Sequence, residues 1–447
     1  MSTTVIKNTT IINEGKHVLG SVIIKDGIID RIELKNDVEL FGDLIIDGSG
    51  KFLIPGVIDD QVHFREPGLT HKGDIYSESK AAIAGGITSF MEMPNTIPQT
   101  TSNLELDKKH QIAEEKSLAN FSFYLGATNE NSEEIQKINP KRVCGVKVFM
   151  GSSTGNMLVD NATSLEQIFR VSPVLVATHC EDEETIKKNL LHYNKVYGES
   201  IPFRLHSHIR SEEACFISSS LAVKLAKEFG TRLHLLHLST EKELSLLSND
   251  RPLKEKMITG EVCVHHLWFN DEDYDRLEGR IKWNPSIKRE TDRAALVNAI
   301  IENKLDVIAT DHAPHTIEEK SNHYAKCPAG GPMVQHSLVA MLELVSRGVF
   351  NIEMVVDKMC HSPADLFGIE KRGYIREGYF ADLVLISPNS RWKVGPENIL
   401  YKCGWSPMEG ETFGSRVTHT FVNGRLVYEY GVFDESVKGI ALSFQKQ

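Results

Sequence analysis

The chain has 447 residues, 41% apolar and 25% charged, which is enough for large cores in two or three domains. With 50 Lys and Arg against 61 Asp and Glu, the formal net charge of −11 argues against a nucleic-acid or anionic-membrane surface as the main partner. No run of eighteen apolar residues is present, the N-terminus lacks a basic region followed by an apolar core, and the seven cysteines are scattered without a CxxC pair. These features predict a cytoplasmic protein with free thiols.

Residues 1–54 read as short strands and turns. SVIIKDGIIDRIEL alternates apolar and polar residues around Asp26-Gly27, a hairpin signal. From Pro55 to about residue 365, short apolar segments alternate with helical patterns. Eight strand candidates fall at 56–64, 87–94, 121–128, 144–151, 174–181, 232–239, 258–266 and 305–313. Helical stretches such as NLELDKKHQIAEEKSL and SEEACFISSSLAVKLAKEFG lie between them. Eight such alternations predict an α/β fold, a (β/α)8 TIM-type barrel. A doubly wound sheet would carry a Gly-rich turn after its first strand, where this chain has His63-Phe64-Arg65-Glu66-Pro67-Gly68. From residue 366 the β texture returns, with Asn423-Gly424 as a second hairpin turn. The expected layout is a catalytic barrel over 55–365 and a small β-sandwich domain built from both termini, 1–54 and 366–447.

Barrel strands present their C-terminal ends to the mouth. Gln61 and His63 emerge there from the first strand, Lys147 from the fourth, His179 from the fifth and His237 from the sixth. Asp311, His312 and His315 emerge from the eighth. A single histidine at a strand end is usually a hydrogen-bonded structural residue. A barrel converges these ends on one point, and imidazole with carboxylate suits Zn²⁺ or a similar divalent ion. Lys147 has no place as an ammonium beside such a cation, and burial favours its neutral amine. A neutral amine can add CO₂, giving an anionic carbamate with two oxygens able to bridge two metals.

Taken together, IPGVIDDQVHFREPG, AAIAGGITSFMEMPNTIP, GVKVFMGSS, ATHCED, LHLLHLST, ATDHAPH and GYIREGYFADLVLI resemble the amidohydrolase superfamily. Within it the chain is most similar to dihydroorotases of the shorter bacterial type, over essentially its whole length. The resemblance implies reversible hydrolysis and cyclisation between dihydroorotate and N-carbamoyl-L-aspartate, in de novo pyrimidine biosynthesis. It assigns His63 to a first metal, Lys147 as a bridge, and His179 and His237 to a second metal. Asp311 would contact the first metal and act as general base, then general acid. Arg65, Asn95 and His315 resemble a clamp for the substrate carboxylate, Asn284 a further substrate contact, and 317–332 a mobile loop. The implied cofactor is Zn²⁺, one or two per chain. A homodimer and association with aspartate transcarbamoylase are the implied assemblies.

Arg65 also has a physical rationale, because a guanidinium pairs bidentately with a carboxylate. Hydantoinase-like relatives act on rings without that group, and allantoinases differ around MPNT. One position departs from the family pattern: the first strand ends in Gln61-Val62-His63 rather than His-x-His. A carboxamide oxygen is a weaker zinc ligand than imidazole. The rival readings are therefore a non-catalytic scaffold subunit and a hydantoinase or allantoinase. Among other conspicuous residues, Cys180 is read as turned away from the mouth, His265-His266 as structural, His234 as pointing away from the barrel centre, and Glu181-Asp182 as the start of the next loop or helix.

Overall fold

The computed structural model describes residues 3–34, 40–151 and 157–445. Thr3–Asn13, Lys16–Lys25 and Ile28–Glu33 form an antiparallel meander. Its second turn places Asp26 at φ 49° and Gly27 at φ 87°, the paired positive dihedrals that Asp-Gly supplies to a tight hairpin. Phe52–Pro55 pairs in parallel with Thr3–Asn13 and antiparallel with Leu383–Ser387. Leu383–Ser387 pairs in turn with Arg416–Val422, which returns through Asn423-Gly424 into Arg425–Glu429. The terminal segments thus share one nine-stranded sheet. It gathers Ile6, Val22, Ile24, Leu53, Leu383 and Phe421 into a core of its own. The two hairpin turns touch: a Cβ on Gly27 would sit 2.8 Å from the Asn423 carbonyl oxygen, so this contact requires glycine.

Between these segments runs the barrel. Its parallel strands are Val57–Val62, Ile87–Glu92, Asn120–Phe123 continued by Leu125–Gly126, Val146–Phe149, Val176–His179, Leu233–Leu235, Ile258–Cys263 and Val307–Ala309. The ring closes where His63 N donates to His312 O at 2.7 Å. The expected strand order and the sheet from both termini are what the structure shows, with shorter strands than the apolar runs suggest. The sixth, expected over 232–239, pairs only over Leu233–Leu235, because the residues beyond turn into the mouth.

Several helices begin where side chains satisfy free backbone N–H groups. Asp74 and Ser77 form a reciprocal capping box ahead of Ile75–Ala84. Ser211 caps Glu212–Phe229, which ends at Gly230 in the left-handed conformation. No helix among the described residues is long and apolar enough to cross a membrane. The last segment returns to the barrel floor: Leu442 N donates to Phe121 O at 2.9 Å, and Leu442 and Phe444 pack with Ile58, Met91 and Leu175.

Candidate active site

The C-terminal ends of the strands open into a cavity of about 970 Å³. Gln61, His63, Arg65, Asn95, Lys147, His179, His237, Asn284, Asp311 and His315 all line it, whereas His312, also expected at the mouth, does not. Of the GVKVFMGSS stretch, Ser152 and Ser153 lie outside the described residues.

The candidate metal ligands form two pairs. His63 Nε2 lies 3.2 Å from Asp311 Oδ1, and His179 Nδ1 lies 3.0 Å from His237 Nε2. Two of the three imidazoles are oriented from behind. His63 Nδ1 is 2.7 Å from Asn95 Oδ1, which can only accept, so the proton sits on Nδ1 and Nε2 faces the cavity. His179 Nε2 is 2.9 Å from Glu181 Oε2, itself ion-paired with Arg210, and this commits the His179 proton away from His237. His237 and Asp311 both hold positive φ, 38° and 45°, so each ligand leaves its strand end through a strained turn. Glu261 Oε1 braces one of these turns by accepting from His237 N at 2.9 Å.

Lys147 is 1% exposed, and burial pulls its ammonium down to about 8 against the attraction of Asp311 and Glu261. Its charge also opposes protonation of His63, His179 and His237, which puts it within electrostatic reach of both pairs. Three buried polar atoms of the cavity lining have no hydrogen bond among the described residues: Gln61 Oε1, His237 Nδ1 and Asn284 Oδ1. The Gln61 amide nitrogen is 3.3 Å from Asp311 Oδ1, leaving the carbonyl oxygen free for a cation. Imidazoles held neutral by burial, a carboxylate and an orphaned carbonyl are a donor set that fits a divalent metal ion.

Beside this lies a cationic corner. Arg65, 7% exposed, donates through Nε to Pro314 O at 3.0 Å, and its Nη2 lies 3.1 Å from His315 Nε2. His315 Nε2 also lies 3.0 Å from Ala329 O, and Nδ1 lies 3.3 Å from Glu319 Oε2. Burial and the Arg65 charge push His315 well below the usual histidine range, so it stays neutral. Lys72 Nζ reaches Glu319 at 2.9 Å and lies 3.1 Å from His315 Nδ1. Asn284 Oδ1 has no hydrogen bond among the described residues.

An amidohydrolase family model matches residues 52–427. The chain belongs to the amidohydrolase family. It is a hydrolase of carbon–nitrogen bonds. Dihydroorotases from Methanosarcina acetivorans and Pyrococcus furiosus are 31% and 33% identical, over 91% and 94% of this chain and 88% and 92% of theirs. The L-hydantoinase of Arthrobacter aurescens superposes with a TM-score of 0.92 at 25% identity, covering 97% of each chain.

Several neighbours of this amidohydrolase site escaped the sequence reading. Glu181 is not merely a loop residue, since it fixes the His179 ring; its position two residues after His179, on the same side of the strand, was the available signal. Lys72, from a turn, and Glu319, from the short helix Ile317–Lys320, complete the cationic corner, and nothing in their local sequence announces it. The segment 317–332 is held down by Lys320 Nζ, which donates to Pro328 O at 2.8 Å and Gly330 O at 2.6 Å. His234, expected to point away from the centre, instead meets Asp60 and Glu261 inside the barrel. His312 turns from the mouth to Glu78 at 2.9 Å, and His265 stacks on Trp283 with ring centroids 4.3 Å apart. The Cys180 thiol is buried, does not line the cavity, and is pushed up to about 11 by burial.

Proposed function

We propose that this amidohydrolase is a dihydroorotase, interconverting dihydroorotate and N-carbamoyl-L-aspartate with one or two Zn²⁺ ions per chain. The observation that carries the reading is the buried Arg65–His315–Lys72 corner beside the His63–Asp311 pair. A ring bearing only neutral amides has no use for a desolvated guanidinium, whereas a ring carboxylate pairs with it. The kinship with named dihydroorotases supports the same choice.

His63, His179, His237, Asp311 and Gln61 Oε1 would hold the metal, and Lys147, as a carbamate, would add anionic oxygen donors. A divalent cation there supplies Lewis-acid polarisation of the scissile carbonyl and acidifies water. Arg65 and His315 take the substrate carboxylate and fix the ring, while Asn284 Oδ1 accepts from a ring N–H. Asp311 accepts a proton from the attacking water as the new C–O bond forms at the amide carbon. It then delivers that proton to the ring nitrogen as the C–N bond breaks. Ring closure runs the same steps backwards.

The scaffold reading rests on Gln61 alone, and the free Gln61 Oε1 removes much of its force. The deciding measurement is metal per chain together with turnover of dihydroorotate and of an unsubstituted hydantoin. Bound metal with strong preference for dihydroorotate is expected. A metal-free, inactive protein, or preference for hydantoin, rejects the proposal.

A further inference from the structure

Below the mouth, three side chains from three strands aim at one spot inside the barrel. Asp60 on the first strand, His234 on the sixth and Glu261 on the seventh are all 0% exposed, and one donor atom from each lies within 4.8 Å of the others. His234 Nε2 is 3.2 Å from Asp60 Oδ2 and 3.7 Å from Glu261 Oε2. Despite this proximity, both Asp60 oxygens, Glu261 Oε2 and His234 Nε2 form no hydrogen bond among the described residues. None of the three residues lines the catalytic cavity.

The other ring nitrogen settles the tautomer. His234 Nδ1 lies 2.8 Å from Thr259 Oγ1, and that hydroxyl donates to Leu233 O at 3.2 Å, so Oγ1 accepts from Nδ1–H. With Nδ1–H committed to Thr259, Nε2 and the two carboxylates face a space that takes one positive charge, either a cation or a proton on Nε2; burial opposes that proton, but Asp60 and Glu261 raise His234 to about 9. Zinc bonded to nitrogen and oxygen at about 2.0–2.1 Å in a tetrahedron sets its ligand atoms roughly 3.3 Å apart, close to the spacing here. Two carboxylates and an imidazole suit zinc or manganese.

We propose that Asp60, His234 and Glu261 hold a divalent cation of the zinc or manganese class, as a structural site separate from the mouth. Glu261 links the two levels, because its second oxygen braces the His237 backbone. A cation on Oε2 fixes the carboxylate that positions His237.

Two experiments test this, and neither reads turnover, so their outcome stands apart from the reaction proposed above. Anomalous diffraction at the zinc edge from crystals of the zinc-loaded full chain should show a peak between the three side chains, distinct from density at the mouth. Zinc at the mouth with none between Asp60, His234 and Glu261 overturns the proposal and leaves a proton on His234 as the countercharge. In solution, the His179→Ala/His237→Ala chain should still bind an equivalent of Co²⁺ with the visible absorption of nitrogen and oxygen ligation. Adding Asp60→Leu should abolish that binding while circular dichroism shows the fold retained. Loss of all Co²⁺ in the first variant, or binding that survives Asp60→Leu, also overturns it. If the triple variant does not fold, the anomalous map decides.

Discussion

Arg65→Met isolates the feature on which substrate choice rests. The guanidinium is 7% exposed and already held by Pro314 O and His315, so a substrate carboxylate meets it with little further ordering. Met keeps the apolar stem and meets the same backbone cost at φ 71°, so the change removes charge more than shape. A carboxylate buried beside His315 without its guanidinium loses about 3–5 kcal/mol, the range for breaking a buried ion pair. Lys72, 3.1 Å from His315, lends compensating charge, which favours the lower end. About 3 kcal/mol corresponds to a fall of roughly 150-fold in kcat/KM for dihydroorotate. An unsubstituted hydantoin places no charge in that corner and should lose less than about tenfold. Steady-state kinetics of both substrates on metal-matched preparations give the comparison. Equal losses on the two would refute the clamp and leave Arg65 as a loop anchor.

Asp311→Asn should lower kcat by about 10²–10⁴, the span for a lost general base, with most metal retained by elemental analysis; unchanged kcat would remove Asp311 from proton transfer. Gln61→His should slow metal loss during dialysis against a chelator by at least about tenfold, since imidazole replaces carboxamide oxygen; identical loss would place residue 61 outside the ligand set. His110 tests a buried histidine far from the chemistry. Burial beside Phe121 and Phe123 lowers it to about 4, and neither ring nitrogen has a hydrogen bond among the described residues. The unfolded chain takes up this proton below about pH 6.5 while the folded chain resists it, so stability falls as pH drops from about 6.5 toward 4. His110→Leu should flatten that limb of the unfolding free energy from urea titrations against pH by up to about 3 kcal/mol; an unchanged slope would show that His110 does not titrate on unfolding.

The barrel and its mouth were legible because their signals are local. Strand–helix alternation and polar residues at strand ends can be read within a few positions, and the barrel itself brings them together. Asp26-Gly27 and Asn423-Gly424 announced their hairpins for the same reason. Apart from Glu181, two positions from His179, what escaped depends on partners far apart in the chain. Whether His234 faces in or out turns on Asp60, across the barrel interior, and the register along the first strand shifts between Asp59 and Val62. Simple alternation from Gln61 and His63 cannot anticipate that shift. Lys72 joins His315 across 243 positions, so no spacing rule reaches it.

The sheet shared by the two terminal segments bears on how the molecule is made. During synthesis Phe52–Pro55 emerges early, yet its antiparallel partner Leu383–Ser387 arrives only after the whole barrel. Gly56, which leads into the first barrel strand, donates to Asp382 O at 2.8 Å, so that strand is also tethered by a late-arriving residue. Until then the nascent chain carries an open β edge, the kind of surface that recruits other chains. Truncation ahead of Leu383 would leave that edge permanently bare, so such a fragment is expected to aggregate rather than persist as a smaller enzyme.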